Sequence, residues 1–151
     1  MPAASSEFFR DNSHADIAAA LQARCFENAW NAVSFRTTLS LPTSILEILS
    51  VENDPAAFAL YQLVDVEAEI LTLGVLPDFR KQGYGKLLLR EAIAYFRNAG
   101  VTALFLEVGE NNISARRLYD AMGFETTGKR PNYYRHKNGP EDAILMKSAI
   151  K

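Results

Sequence analysis

Two groups of residues in this sequence could do chemistry. The segment Val75-Leu-Pro-Asp-Phe-Arg80-Lys81-Gln82-Gly83-Tyr84-Gly85-Lys86 sets cations and glycines directly before a stretch of helical apolar periodicity. A helix that starts there presents unpaired backbone N–H groups and the positive end of its dipole, so an anion such as a diphosphate gains several hydrogen bonds. Gly83 and Gly85 lack Cβ atoms and let phosphate oxygens approach the backbone. Arg80, Lys81 and Lys86 add charge-assisted bonds worth about 1.5–3 kcal/mol each. Taken alone, a Gly-x-Gly turn serves a tight strand-to-helix connection equally well. The spacing fits neither the P-loop, which ends in Gly-Lys-Ser/Thr, nor the dinucleotide fingerprint with its third glycine. The second group is Glu107 and Tyr119. Glu107 ends the apolar run that begins at Val101, where partial burial would favour holding a proton, as a general base requires. Tyr119 lies on the apolar stripe of the following helix, as a core tyrosine or a proton donor.

The elements that must position these residues follow from periodicity. A short extended segment at Glu7 to Arg10 precedes a helix capped near Ser13, with Ile17, Ala20, Leu21 and Arg24 on helical spacing, and a second short helix covers Ala32 to Ser40. Ser44 to Val51, Ala56 to Val64 and Glu67 to Val75 read as an antiparallel meander, with Asn53, Asp54 and Pro55 supplying the first turn. Leu89, Ala92, Ile93 and Phe96 then mark a helix closed by Asn98 and Gly100. Val101 to Val108, apolar on both faces, is expected to be a central strand. Asn111 and Asn112 cap a helix with the stripe Ala115, Leu118, Tyr119 and Met122, stopped by Gly123. Phe124 to Thr127 and Asp142 to Ile150 finish as strands around a polar, Tyr-containing connection. The fold class is α/β in the α+β sense: a mixed, mostly antiparallel sheet with helices on both faces, in a single domain spanning residues 1–151.

Bulk properties narrow the functions. The formal charge of −2 excludes binding by bulk counterion release from nucleic acid, so an anion must be recognised locally. One cysteine, Cys25, allows neither an intramolecular disulfide nor a zinc set, and reads as a buried structural thiol. No run approaches the roughly 20 apolar residues of a membrane span, and the first ten residues lack a signal-peptide pattern. A cytoplasmic monomer or weak dimer without a metal, binding neither nucleic acid nor membrane, is expected.

Arg80-x-x-Gly83-x-Gly85 after a strand and before a Leu-rich helix, together with Asn112-Ile-Ser-Ala-Arg-Arg-Leu-Tyr119 and Gly123-Phe124, resembles the acetyl-CoA signature of the GNAT superfamily of N-acetyltransferases. The resemblance implies that the backbone of Leu73, Gly74 and Val75 pairs with the pantetheine arm as an added strand. It also implies that Arg80, Lys81, Gln82, Gly83, Tyr84, Gly85 and Lys86 take the pyrophosphate, and that Asn112 contacts the cofactor. Leu104-Phe-Leu-Glu107-Val108, Leu118-Tyr119, Met122-Gly-Phe124, Asn132-Tyr133-Tyr134 and Glu141-Asp-Ala-Ile-Leu-Met146 resemble the bacterial ribosomal-protein alanine N-acetyltransferases of the RimI type. That likeness implies Glu107 as general base, Tyr119 as general acid, and the N-terminal alanine of a small ribosomal protein, S18, as acceptor. Pro131 and Arg135 depart from the family pattern, in the segment that lines the acceptor groove.

Attack on a thioester needs a neutral amine. An α-amine of pKa about 7.7–8.0 costs roughly 1 kcal/mol to deprotonate at neutral pH and a lysine nearer 4.6 kcal/mol, which favours a protein N-terminus. Direct transfer is expected, because Cys25 lies outside the matching residues. Trp30, Phe35, Tyr133 and Tyr134 could wall a substrate cleft or pack beneath loops. His14 and His136 read as solvated, and Glu67, Glu69 and Glu110 as a solvated acidic face or an attractor for a basic substrate tail. The alternatives are acetylation of a small-molecule amine or another N-terminus, a silent acyl-CoA-binding module, and nucleotide binding at the glycine loop.

Overall fold

Strand pairing begins with a hairpin whose turn has only two residues. Val51 pairs with Asp54, and Glu52 and Asn53 between them take φ of 51° and 71°. This twist suits antiparallel strands. The turn therefore sits at Glu52-Asn53, and Asp54 and Pro55 are already strand rather than turn. The computed structural model describes residues 2–27 and 29–151. Its elements are β1 (Ala4–Phe9), α1 (Ala15–Cys25), α2 (Ala32–Leu39), β2 (Ser44–Val51), β3 (Asp54–Val64), β4 (Glu67–Val75), α3 (Tyr84–Asn98), β5 (Ala103–Gly109), α4 (Ile113–Ala121), β6 (Glu125–His136) and β7 (Gly139–Ala149), with a 3₁₀ turn at Pro77–Phe79.

The strands form one seven-stranded sheet in the order β1-β2-β3-β4-β5-β7-β6. Among the described residues only β4 and β5 run parallel; every other neighbouring pair is antiparallel. β3 shows why both faces are covered. Ala57, Ala59 and Tyr61 pack with Leu88, Leu89, Ala92 and Phe96 of α3, while Phe58 and Leu60 pack with Ala18 and Leu21 of α1 and Phe35 and Leu39 of α2. The period-two alternation thus feeds two apolar layers. The expected mixed sheet with helices on both faces is what forms.

Differences from the sequence expectation lie where pairing or capping decides. β1 starts at Ala4, not Glu7, because it pairs with β2 as far as Ala4↔Val51. The cap of α1 falls on His14 without a side-chain bond, and Ser13 instead gives its N–H and hydroxyl to Asp11 Oδ1. The polar Tyr-containing connection is not a loop: β6 and β7 continue through it and pair from Glu125↔Lys147 to His136↔Gly139, with irregularities between Thr126 and Gly128 and between Arg130 and Tyr134. Polar side chains on an exposed edge strand hide its pairing from any hydrophobic pattern. Among the described residues, no helix is long and apolar enough to cross a membrane.

Candidate active site

The site exists because β4 and β5 part company. Their parallel pairing runs only from Glu67↔Ala103 to Ile70↔Leu106. On its other side β4 stays paired with β3 as far as Ala57↔Val75, but Tyr61 opposes Ile70 and Leu60 opposes Thr72, which leaves Leu71 as an extra residue. Such a bulge bends its strand and ends pairing locally. Beyond it, the backbone of Thr72, Leu73, Gly74 and Val75 has no strand partner on the β5 side among the described residues. The gap opens into a cleft of about 1300 Å³.

At one end of the cleft stands the start of α3. Gly83 is its N-cap at φ 89°, a left-handed conformation that a side chain resists, and a Cβ there would meet nothing within 4 Å. Gly85 is small for another reason: a Cβ would lie 3.1 Å from Leu118 Cδ2 of α4. Backbone conformation at Gly83 and helix contact at Gly85 each favour glycine independently of any phosphate. The first bond of the helix runs from Leu87 N–H to Gly83 O at 3.1 Å, so the amides of Tyr84, Gly85 and Lys86 come before it and lack that partner. Arg80, Lys81, Gly83, Tyr84, Gly85 and Lys86 all line the cleft. Gln82 does not; its amide nitrogen donates to Asp78 O at 3.0 Å and braces the turn. Arg80 Nε donates to Val75 O at 2.9 Å, clamping the loop to the end of β4. Leu73, Gly74 and Val75 form the wall beyond. Asn112 also lines the cleft, as the N-cap of α4 accepting from Ala115 N–H at 3.3 Å.

At the other end are Glu107 and Tyr119. Glu107 is partly buried, as expected, with 21% of its side chain exposed, and it meets Arg130 Nη2 at 3.2 Å in an ion pair. Arg130 also stacks over the Tyr133 ring, 5.3 Å from its centroid. Tyr119 is buried against Phe124 with ring centroids 5.5 Å apart, and burial pushes its phenol up to about 12. Both residues line the cleft.

Four features were invisible in the sequence. Gln22, almost fully buried on α1, donates to Thr72 Oγ1 of β4 at 3.0 Å and accepts the backbone N–H of Trp30, tying α1 and the Trp30 loop to the open strand. Cys25 stands in the cleft wall rather than in the core, so close to Gly74 that a Cβ there would sit 2.9 Å from its Sγ. Burial raises the Cys25 thiol against the opposing influence of Arg80, which disfavours the thiolate. His136 is not merely solvated: it lines the cleft with Nε2 2.7 Å from Glu141 Oε1. Glu47, in the middle of apolar β2, is buried completely and held by Ser6 and Tyr61 hydroxyls. Of the aromatic cluster, Trp30 and Tyr134 line the cleft, Phe35 is core and Tyr133 is exposed.

A helix start set beside an unpaired parallel strand is a recognisable architecture, and the Acetyltransferase (GNAT) family model matches residues 16–124. The chain belongs to this family. Among GNAT proteins, the [ribosomal protein bS18]-alanine N-acetyltransferase of Salmonella typhimurium is 41% identical over 98 residues, spanning 65% of this chain and 66% of that relative. The crystal structure of the ribosomal-protein-S18-alanine N-acetyltransferase from Escherichia coli superposes with a TM-score of 0.90 at 30% identity, covering 99% of this chain and 95% of that one. A Salmonella typhimurium protein described as an acetyltransferase and solved with its cofactor acetyl-CoA shares the fold, with a TM-score of 0.78 at 15% identity over 99% of this chain and 95% of that one.

Proposed function

We propose that this protein is an acetyl-CoA-dependent N-acetyltransferase that modifies the N-terminal alanine α-amine of ribosomal protein bS18 in the cytoplasm, by direct transfer within a single domain. The unpaired edge of β4, ending at a cationic helix start, carries the cofactor part of this reading. The 41% identity to the Salmonella typhimurium bS18 enzyme supports the acceptor.

The residues fit the cofactor. The amide groups of Leu73 to Val75 can pair with the two amides of a pantetheine arm, as a strand would. Lys81 to Lys86, with Arg80 behind them, offer backbone donors and cations to the diphosphate, and Asn112 has its side-chain NH₂ left over once its oxygen caps α4. Bound there, acetyl-CoA supplies an acetyl group activated as a thioester. Glu107 takes a proton from the arriving ammonium, directly or through water. Arg130, paired with that carboxylate at 3.2 Å, is displaced or shared when the ammonium arrives.

Tyr119 holds its proton throughout the neutral range, so it serves as donor. An ordinary thiol has a pKa of about 8.5, and a phenol near 12 is a weaker acid by roughly 3.5 units, or about 5 kcal/mol. Complete transfer from Tyr119 to a thiolate would therefore be uphill. The step that fits is a hydrogen bond to the departing sulfur, with the second proton of the amine ending on the thiol. Cys25, kept as a thiol, has no part in the transfer.

The test is CoA release from acetyl-CoA with a synthetic bS18 N-terminal peptide, set against peptides with other first residues, free amino acids and polyamines. Selective turnover of the alanine peptide is expected. Equal or better turnover of a small amine would replace the acceptor, and CoA binding without release from any amine would remove the enzyme reading. Mass spectrometry of ribosomal proteins from cells lacking the gene should show the loss of one acetyl mass from bS18.

A further inference from the structure

Gln22 lines the cleft yet is only 3% exposed, and both ends of its amide are engaged. Its Oε1 accepts the Trp30 backbone N–H, which can only donate, so the amide has one orientation and Nε2 is left to donate to Thr72 Oγ1 at 3.0 Å. The Trp30 ring rests on buried Phe35 of α2, with ring centroids 5.2 Å apart. Trp30 is thus moored twice, by its backbone through Gln22 to β4 and by its ring to α2.

The bulge makes Thr72 available for this contact. Ala68 and Ile70 of β4 face the α3 layer, and strict alternation would send Thr72 there as well. The extra residue at Leu71 reverses the phase. Leu71 packs with the α1–α2 layer, Thr72 turns to Gln22 on the same side, and Leu73 and Val75 return to the α3 layer. The irregularity that opens the seam therefore also creates the anchor for the Trp30 loop.

The same alternation places Glu107. Leu104, Leu106 and Val108 of β5 face the α3 layer, so Glu107 points to the opposite face of the sheet, the one on which Thr72 meets Gln22. The parallel ladder ends at Ile70↔Leu106, which leaves Glu107 one residue past it on β5 and Thr72 two residues past it on β4. With paired strands about 4.8 Å apart and about 3.3 Å per residue along each, the Thr72 and Glu107 backbones lie on the order of 10 Å apart. Both stand where the strands begin to part, on one face, and Trp30 is moored to one of them.

The geometry points to Gln22 as a positioning residue for the acceptor: by tying Trp30 to Thr72 at the split, it holds a wall of the cleft beside Glu107 and sets how tightly the acceptor peptide binds. That role rests on the acetyltransferase reading, in which the amine arrives at Glu107. The cofactor edge does not depend on it, because β4 stays paired with β3 at Ala59↔Leu73 and Ala57↔Val75.

The experiment compares wild type with Gln22→Met, which keeps the volume and loses both bonds, Thr72→Val, which loses one, and Thr72→Ser, which keeps the hydroxyl. Steady-state CoA release is measured with an N-terminal alanine peptide, varying each substrate in turn. For Gln22→Met the acceptor KM is expected to rise by about fivefold or more while the acetyl-CoA KM stays within about twofold, with a smaller rise for Thr72→Val and none for Thr72→Ser. The chain has one tryptophan, so fluorescence reports on Trp30 directly. Its emission should shift to the red and become easier to quench with acrylamide in Gln22→Met and Thr72→Val, and match wild type in Thr72→Ser. Emission unchanged in both of the first two variants overturns the mooring. An acceptor KM that stays put, or one that rises together with the acetyl-CoA KM, overturns the positioning role and marks a structural contact. Should thermal melting show Gln22→Met unfolded, Thr72→Val decides by the same criteria. A wild type that releases no CoA with any amine is the failure of the underlying reading, seen before any variant is made, and the positioning role falls with it.

Discussion

Glu107 and Glu47 are both glutamates in apolar strands, yet their surroundings give them opposite work. Glu107 opens onto the cleft and faces a guanidinium, a setting in which a carboxylate is available to accept a proton. Replacing it with glutamine keeps the shape and removes the base. The expectation is a fall in kcat of about 10²-fold with little change in acetyl-CoA affinity, measured by steady-state CoA release and by calorimetry with CoA. Tyr119→Phe tests the donor at the sulfur: kcat is expected to fall by about 10-fold or more, and unchanged kcat would return Tyr119 to the core. Glu47 faces no cleft. It is fully buried, and burial pushes its carboxyl from 4.5 up to about 8, against the hydrogen bonds from Ser6 and Tyr61 that lower it. Between those pH values the unfolded chain releases this proton and the folded chain retains it, so stability is fully present below pH 4.5 and is lost as pH rises to about 8. Urea midpoints should therefore decline from pH 5 to 8 by the equivalent of a few kcal/mol, and Glu47→Gln should flatten that slope. At this scale the sequence was most legible where residue type and position coincide. Glu107 ends its apolar run, whereas Glu47 interrupts one without a sign that Ser6, far away in the chain, would hold it.

Elements supply what residue types cannot. β2 and β4 were delimited correctly from alternation and turn residues, and α3 from its stripe and its closing Asn98 and Gly100. The bulge at Leu71 was not foreseeable, because a bulge is a property of two paired strands and leaves no mark in the composition of either. The same holds for β6, whose polar residues read as a loop until β7 pairs with them, and with it for the His136–Glu141 pair. The two glycines of the loop give a prediction at this scale. Gly83→Ala forces a side chain into φ 89° and costs about 1–2 kcal/mol, with a raised KM for acetyl-CoA because the first-turn amides tilt. Gly85→Ala meets the flexible end of Leu118 at 3.1 Å, which can shift by a few tenths of an ångström, so about 0.5–1 kcal/mol is expected. Chemical denaturation and KM measured on both variants distinguish them: comparable KM changes would mean that phosphate approach, rather than backbone conformation, sets the requirement for glycine.

The whole molecule is a sheet opened along one seam, with its charge arranged along that seam. Arg80, Lys81 and Lys86 line the cleft beside the start of α3, while Glu107 and Glu141 line it from β5 and β7, although the chain as a whole carries −2. The overall charge therefore says nothing about either ligand; the separation within the cleft does. Because β4 beyond Leu71 is open on its β5 side, CoA would extend the sheet there and stabilise the fold by mass action, about 2.7 kcal/mol at a hundredfold excess over Kd. For a chain of this size that corresponds to a rise in Tm of roughly 5–10 °C. The rise should shrink with added salt, since the diphosphate is held at the protein surface by charge-assisted bonds. Dephosphorylated pantetheine should reproduce only the strand-like share of it, without the salt dependence. ATP, which brings phosphates but no pantetheine arm, should give less than CoA at equal concentration. If ATP matched or exceeded CoA, the seam would be incidental and the glycine loop would be a nucleotide site.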